Sequence, residues 1–315
     1  MLARLQQFTI LAILGIATAC AALLVSRGRP LWAIAVFGMV AAGHAFFLAF
    51  EFLLLARANR EDPAPAASAR DLVRAWWGEV LIAPQVFCWH QPFRSQVQPD
   101  HLPPDAGGRV GIVFVHGFVC NRGLWNPWLQ RLRQRGVPFV AVNLEPVFGS
   151  IDSYVSIIEA AVRRIEAATA MRPLIVAHSM GGLAVRAWLD ACEADARVRH
   201  VITIGTPHRG TLLARFASTP NASQMRLRSR WRHALSEREP RARYANFTCF
   251  YSHCDNIVFP ASNATLPGAD NRHVKGIAHV HLARQETVLR EVLRHTGTAP
   301  RPQLPPLAGG SPTGP

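Results

Sequence analysis

The chain has 315 residues, 50% of them hydrophobic, and a formal net charge of +14. That length excludes a minimal module and allows one large domain with additions, or two smaller ones. The charge is almost all arginine, Lys275 being the only lysine; the arginines are scattered, with no zinc-ligand spacing or RNA-binding signature, so a nucleic-acid partner is set aside.

Residues 8–25 form an uncharged, mostly apolar run between Arg4 and Arg27, and 31–55 form a second, broken by His44 and Glu51. Each exceeds or approaches the about 20 helical residues that cross a bilayer core. A cleavable signal peptide could explain the first run but not the second, so 1–56 is expected to be a membrane anchor of two transmembrane helices. His44 and Glu51, seven residues apart, share a face of the second helix and are expected to turn toward the first helix; alternatively, Glu51 simply lies near the interface. A hairpin returns both ends to one side, with Arg4, Arg57, Arg60, Arg70 and Arg74 there and Arg27 and Arg29 opposite. The positive-inside rule then places the rest of the chain on the cytoplasmic side.

Residues 57–108 read as a linker and N-terminal helical extension. The stretch "RANREDPAPAASA" is Pro/Ala-rich, and a helix is expected from Ser68, with Asp71 as its capping-box partner. Further on, 110–115, 138–142, 173–177, 200–204 and 247–251 are short apolar runs without polar alternation, as in strands covered on both faces. Helical patterns at 125–133, 154–168 and 183–192 separate them, which predicts an α/β fold with a mostly parallel sheet over 109–295. The end, 296–315, has too little to bury and is expected to be a disordered tail.

"LIVAHSMGGLAV" (174–185) places Ser179 just past a strand end, between Ala177 and Gly181. A turn this sharp points the hydroxyl outward at a helix N-terminus, the nucleophile elbow. With "VFVHGFVCNRGLW" before it and "ITIGTPHRGT" after it, the sequence resembles the bacterial triacylglycerol lipases and related esterases of the α/β-hydrolase superfamily. The resemblance covers 109–213 well and 247–294 loosely, and Ala177 stands where the usual motif has glycine. It implies an α/β-hydrolase fold, and with the anchor a bacterial inner-membrane location.

The resemblance also implies a chain order of nucleophile, acid, histidine. "FTCFYSHCDNIVFP" supplies Asp255 past a late strand, with Asp270 in reserve. "GIAHVHL" supplies His279, which has Leu282 at the family's spacing, or His281. The oxyanion donors would be the backbone N–H groups of Met180 and Phe118. His116, Gly117 and His178 are expected around the substrate pocket, and His208 of "GTPHRG" has no expected catalytic role. No metal site or cofactor motif is readable.

Residues 211–246 mix apolar side chains with eight arginines and read either as a basic amphipathic lid or as a solvated helix pair. With the anchor, the resemblance points to a lipid or other acyl ester as substrate. Acyl transfer would use the same serine, and a non-catalytic binding module would usually lack the nucleophile or base retained here.

Overall fold

The computed structural model describes residues 1–297, so the expected tail over 296–315 falls almost wholly outside the described residues. The chain opens with α1 (Leu2–Ser26) and α2 (Pro30–Ala58), which lie side by side. Both are long and apolar enough to cross a membrane. They leave Leu11, Ile16, Trp32 and Met39 uncovered, an arrangement water would penalise and hydrocarbon would not.

The hairpin is fastened to the globular part of the chain. Gln6 Nε2 donates to Gln91 Oε1 at 2.9 Å, and Gln7 Nε2 to the Pro92 carbonyl at 2.6 Å. Ser262 Oγ donates to Asp62 at 2.7 Å, and His253 Nδ1 lies 3.1 Å from the Pro65 carbonyl. The stretch read as a linker is therefore held along its length. Helix α3 (Ala69–Pro84) starts as expected, with Asp71 N donating to Ser68 Oγ at 3.1 Å and Ser68 N to Asp71 Oδ2 at 3.3 Å. A π-turn leads from it into the short α4 (Gln91–Arg94).

The expected orientation of His44 and Glu51 is corrected. His44 lies against α3 at Val80, and Glu51 is buried, accepting from Asn256 Nδ2 at 2.6 Å. Both polar groups face the globular part rather than α1, because that is where hydrogen-bonding partners exist.

The sheet comprises β1 (Ile112–Val115), β2 (Phe139–Ala141), β3 (Leu174–His178), β4 (His200–Ile204), β5 (Phe247–Tyr251) and β6 (Asp270–His273). Its order is β2-β1-β3-β4-β5-β6, and every neighbouring pair is parallel. Side chains alternate between its faces. Val113, Val115, Ile175 and Val201 meet a layer formed with α6 (Val155–Thr169) and α7 (Met180–Ala191). Ile112, Phe114, Val176 and Ile202 meet the opposite layer, which includes α5 (Asn126–Gln134) and α11 (Glu286–Thr296). Between β4 and β5 lie α8 (Pro220–Gln224) and α9 (Arg230–Arg238), and α10 (His279–Leu282) follows β6. The sixth strand escapes sequence reading because its four residues, DNRH, are polar and occupy an exposed sheet edge.

Candidate active site

Ser179 joins β3 to α7 with φ 55° and ψ −131°, a conformation costly for any residue with a Cβ. The turn is held by Ser179 N donating to the Ile204 carbonyl at 2.9 Å and Gly182 N to the Ser179 carbonyl at 3.1 Å. The surrounding small residues now have a geometric reason. A Cβ on Gly181 would come within 2.5 Å of the His116 carbonyl oxygen, and one on Gly117 within 2.6 Å of Ser179 Cβ. Because the first obstacle is backbone, Gly181→Ala is expected to cost about 1–3 kcal/mol or more of stability. The measurement is the denaturant midpoint, which should fall with an unchanged slope.

Asp255 follows the carboxyl end of β5, four residues after Tyr251, and is buried. Its Oδ1 accepts from Ile257 N at 3.0 Å and Val258 N at 2.8 Å, while its Oδ2 lies 2.9 Å from His279 Nδ1. Gly205, at φ +55°, leaves room for the pair: a Cβ there would approach Asp255 Oδ2 to 2.8 Å and His279 Nδ1 to 3.1 Å. Burial opposes a charged His279, but the Asp255 carboxylate, with smaller contributions from Glu79 and Glu51, raises its pKa above 6.5.

The structure places the alternatives elsewhere. Asp270 begins β6, aligned with Thr248 at the start of β5, so it sits at the opposite end of the sheet edge, exposed and paired with Arg272. Among the described residues no cluster of His, Cys, Asp or Glu could hold a metal ion. His281 turns toward α3, where a Cβ on Gly78 would meet its Nδ1 at 2.8 Å.

Two supports for His279 are not legible in the sequence. Glu79 of α3, fully buried, accepts from Val280 N at 2.9 Å and His281 N at 3.1 Å, and burial lifts its pKa to about 7. Asn256 Oδ1 accepts from His279 N at 3.2 Å while Asn256 Nδ2 donates to Glu51. A lone acid in an amphipathic helix carries no signal of a partner some 200 residues away.

The sequence profile of the Alpha/beta hydrolase family matches residues 112–308. The chain belongs to that family. No curated protein matches it in sequence. Among solved structures, the mature lipase BlEst2 of Bacillus licheniformis is similar at TM-score 0.53 and 18% identity, over 61% of this chain and 94% of that one. Aspergillus fumigatus lipase B is similar at TM-score 0.51 and 18% identity, over 61% of this chain and 54% of that one. At such identities the likeness is one of fold.

In this hydrolase a cavity of about 330 Å³ opens over Ser179. Phe118, Leu213, Phe216 and Met225 form part of its wall. His116 and His178 turn away from it, which corrects the sequence expectation for those two, whereas Gly117 packs directly against Ser179. His116 is buried with Nδ1 donating to the Gly117 carbonyl and Nε2 accepting from Leu144 N, both at 2.9 Å; burial pushes its pKa down to about 4. It pins the loop that carries Phe118, in which Val119 holds a φ of 52°. His178 points behind the serine, donating from Nε2 to the His279 carbonyl at 3.1 Å with the two rings 4.5 Å apart. His208 is likewise structural, lying 3.0 Å from Thr203 Oγ1.

The lid expectation over 211–246 divides in two. Residues 211–225 supply cavity wall, whereas Glu239 and Tyr244 are tied into the core through Arg186, which is itself fully buried. A mobile lid over the whole segment would have to break that network.

Proposed function

We propose that this alpha/beta hydrolase is a membrane-anchored serine hydrolase that cleaves acyl esters through an acyl-enzyme. In this reading 1–56 is the anchor, 57–108 the helical extension and 109–295 the catalytic domain, on the cytoplasmic face of a bacterial inner membrane. The observation that carries the reading is the 2.9 Å contact between His279 Nδ1 and the Asp255 carboxylate at the sheet end where Ser179 stands.

Asp255 fixes the His279 tautomer with hydrogen on Nδ1, leaving Nε2 free to act as base. Nε2 takes the Ser179 proton as Oγ attacks the ester carbonyl carbon. The resulting oxyanion is met by the N–H groups of Met180, the first helical residue of α7, and Phe118. His279 returns the proton to the departing alkoxide, and the acyl group stays on Oγ. A water deprotonated by His279 then attacks the acyl carbon, releasing the carboxylic acid and restoring Ser179.

The test is covalent labelling of the full-length protein in detergent with phospholipid present, using a fluorophosphonate. Displacement of fluoride by Ser179 Oγ should leave a phosphonyl adduct on the Ser179 peptide, located by mass spectrometry. A folded protein that acquires no adduct there overturns the proposal.

A further inference from the structure

The cavity over Ser179 is not closed by the hydrolase domain alone. Alongside residues of the segment between β4 and β5 (211–246, the cap), Phe47, Phe50, Glu51 and Leu54 of α2 line it. These four fall at i, i+3, i+4 and i+7, so they form one stripe of the helix. The stripe is keyed to the catalytic side: Glu51 accepts from Asn256, and Asn256 in turn accepts from the backbone N–H of His279. A segment that only tethered the domain would have no need of a hydrogen-bonded seat against the catalytic loop.

The rim of the cavity is apolar and open. Phe47 is 62% exposed, Phe50 56% and Phe216, which lines the same cavity, 65%. Three phenyl groups around one mouth are unfavourable in water and favourable in hydrocarbon. Their depth agrees with that: Leu54 and Phe47 stand about 6 and 17 Å from Ala58 along the helix. With the domain-side end of α2 at the headgroups, the mouth opens into the near half of a hydrocarbon core about 30 Å thick.

We infer that α2 is a wall of the acyl-binding pocket, and that the substrate is a bilayer lipid whose ester chain enters sideways from the leaflet, between Phe47 and Phe50 of α2 and Phe216 of the cap. This inference rests on the proposed serine hydrolase activity. It makes Phe47, Phe50 and Leu54 determinants of chain-length specificity, a role that sequence reading assigns to no residue of the anchor. The headgroup remains outside, beside the exposed Arg215.

The decisive experiment uses the full chain in phosphatidylcholine–phosphatidylglycerol vesicles and a hexadecyl fluorophosphonate with a diazirine near the chain terminus. After labelling, irradiation should cross-link the chain to the 47–54 stretch of α2. Adduct on Ser179 with cross-links confined to the catalytic domain overturns this inference and leaves the hydrolase reading intact. Absence of any Ser179 adduct on folded protein removes both.

A second measurement avoids the probe. Leu54→Trp, which fills the cavity, should lower the ratio of kcat/KM for palmitoyl over butyryl nitrophenyl ester by about tenfold or more. Phe46→Trp, on the same helix but outside the cavity wall, should leave that ratio at the wild-type value. Equal ratios in wild type and both variants would overturn the inference.

Discussion

Exchange of Asp255 for asparagine is expected to lower kcat for ester hydrolysis about 10⁴-fold with little change in KM. The amide keeps the shape but presents an N–H to His279 Nδ1 or accepts more weakly, so the imidazole is no longer held with its basic nitrogen toward the serine. The pH profile supplies a second readout. In the proposed mechanism His279 acts as base only when neutral, so kcat/KM should rise with pH through its pKa, which is raised above 6.5. Removing the Asp255 charge leaves burial, which favours the neutral ring, so the acid limb of the residual activity should move to lower pH. Asp270→Asn is the control. Its carboxylate is exposed at the far end of the sheet edge and paired with Arg272, so both rate and profile should match wild type. A full loss in Asp270→Asn, with Asp255→Asn active, would reverse the assignment.

Glu239→Ala should destabilise the protein by about 3–5 kcal/mol. Arg186 and Glu239 are fully buried, with side-chain exposures of 1% and 0%. Arg186 Nε donates to Glu239 Oε1 at 3.0 Å, its Nη1 donates to the His208 carbonyl at 3.0 Å, and Tyr244 Oη donates to Glu239 Oε2 at 2.7 Å. Deleting the carboxylate leaves a guanidinium that cannot lose its proton, stranded without a counter-charge. The expected Tm falls by roughly 10 °C. Replacing both partners at once, as Arg186→Met with Glu239→Leu, removes the stranded charge and should recover much of the loss. If the single and double variants melt together, the pair is not what fastens the cap to α7.

Much of the fold is written locally in the sequence. The apolar runs at 200–204 and 247–251 coincide with β4 and β5, and Ser68 with Asp71 starts α3 where a capping box predicts. The elbow is legible because its requirement is steric and local: Gly181 has a carbonyl where a side chain would go. What is missed depends on contacts distant in sequence. Asp270 begins a strand whereas Asp255 lies past the end of one, and that distinction needs β6, whose polar residues give no apolar signal. Helix α7 begins three residues before its predicted start because Gly181 and Gly182, poor helix formers, are used there for close approach. Glu79, Asn256 and the α2 stripe have partners in segments far along the chain, and no periodicity announces such pairings. None of them lies within the three motifs that carry the family resemblance. His116 and His178, by contrast, lie inside those motifs and so read as pocket residues, although their inward hydrogen bonds turn them away from the pocket.

The fastening of residues 59–65 has a kinetic consequence. Asp62 on Ser262 and Pro65 beside His253 leave no slack between the hairpin and the sheet. A domain on a loose tether samples a hemisphere of solvent and meets dissolved molecules at their bulk concentration. With 1–56 as the proposed anchor, a domain clamped to it holds the cavity mouth at α2, where a bilayer substrate arrives by diffusion in two dimensions. For such an enzyme the natural variable is surface mole fraction. Diluting a lipid substrate with inert lipid at constant total amount should slow turnover, whereas diluting the vesicles in buffer should not.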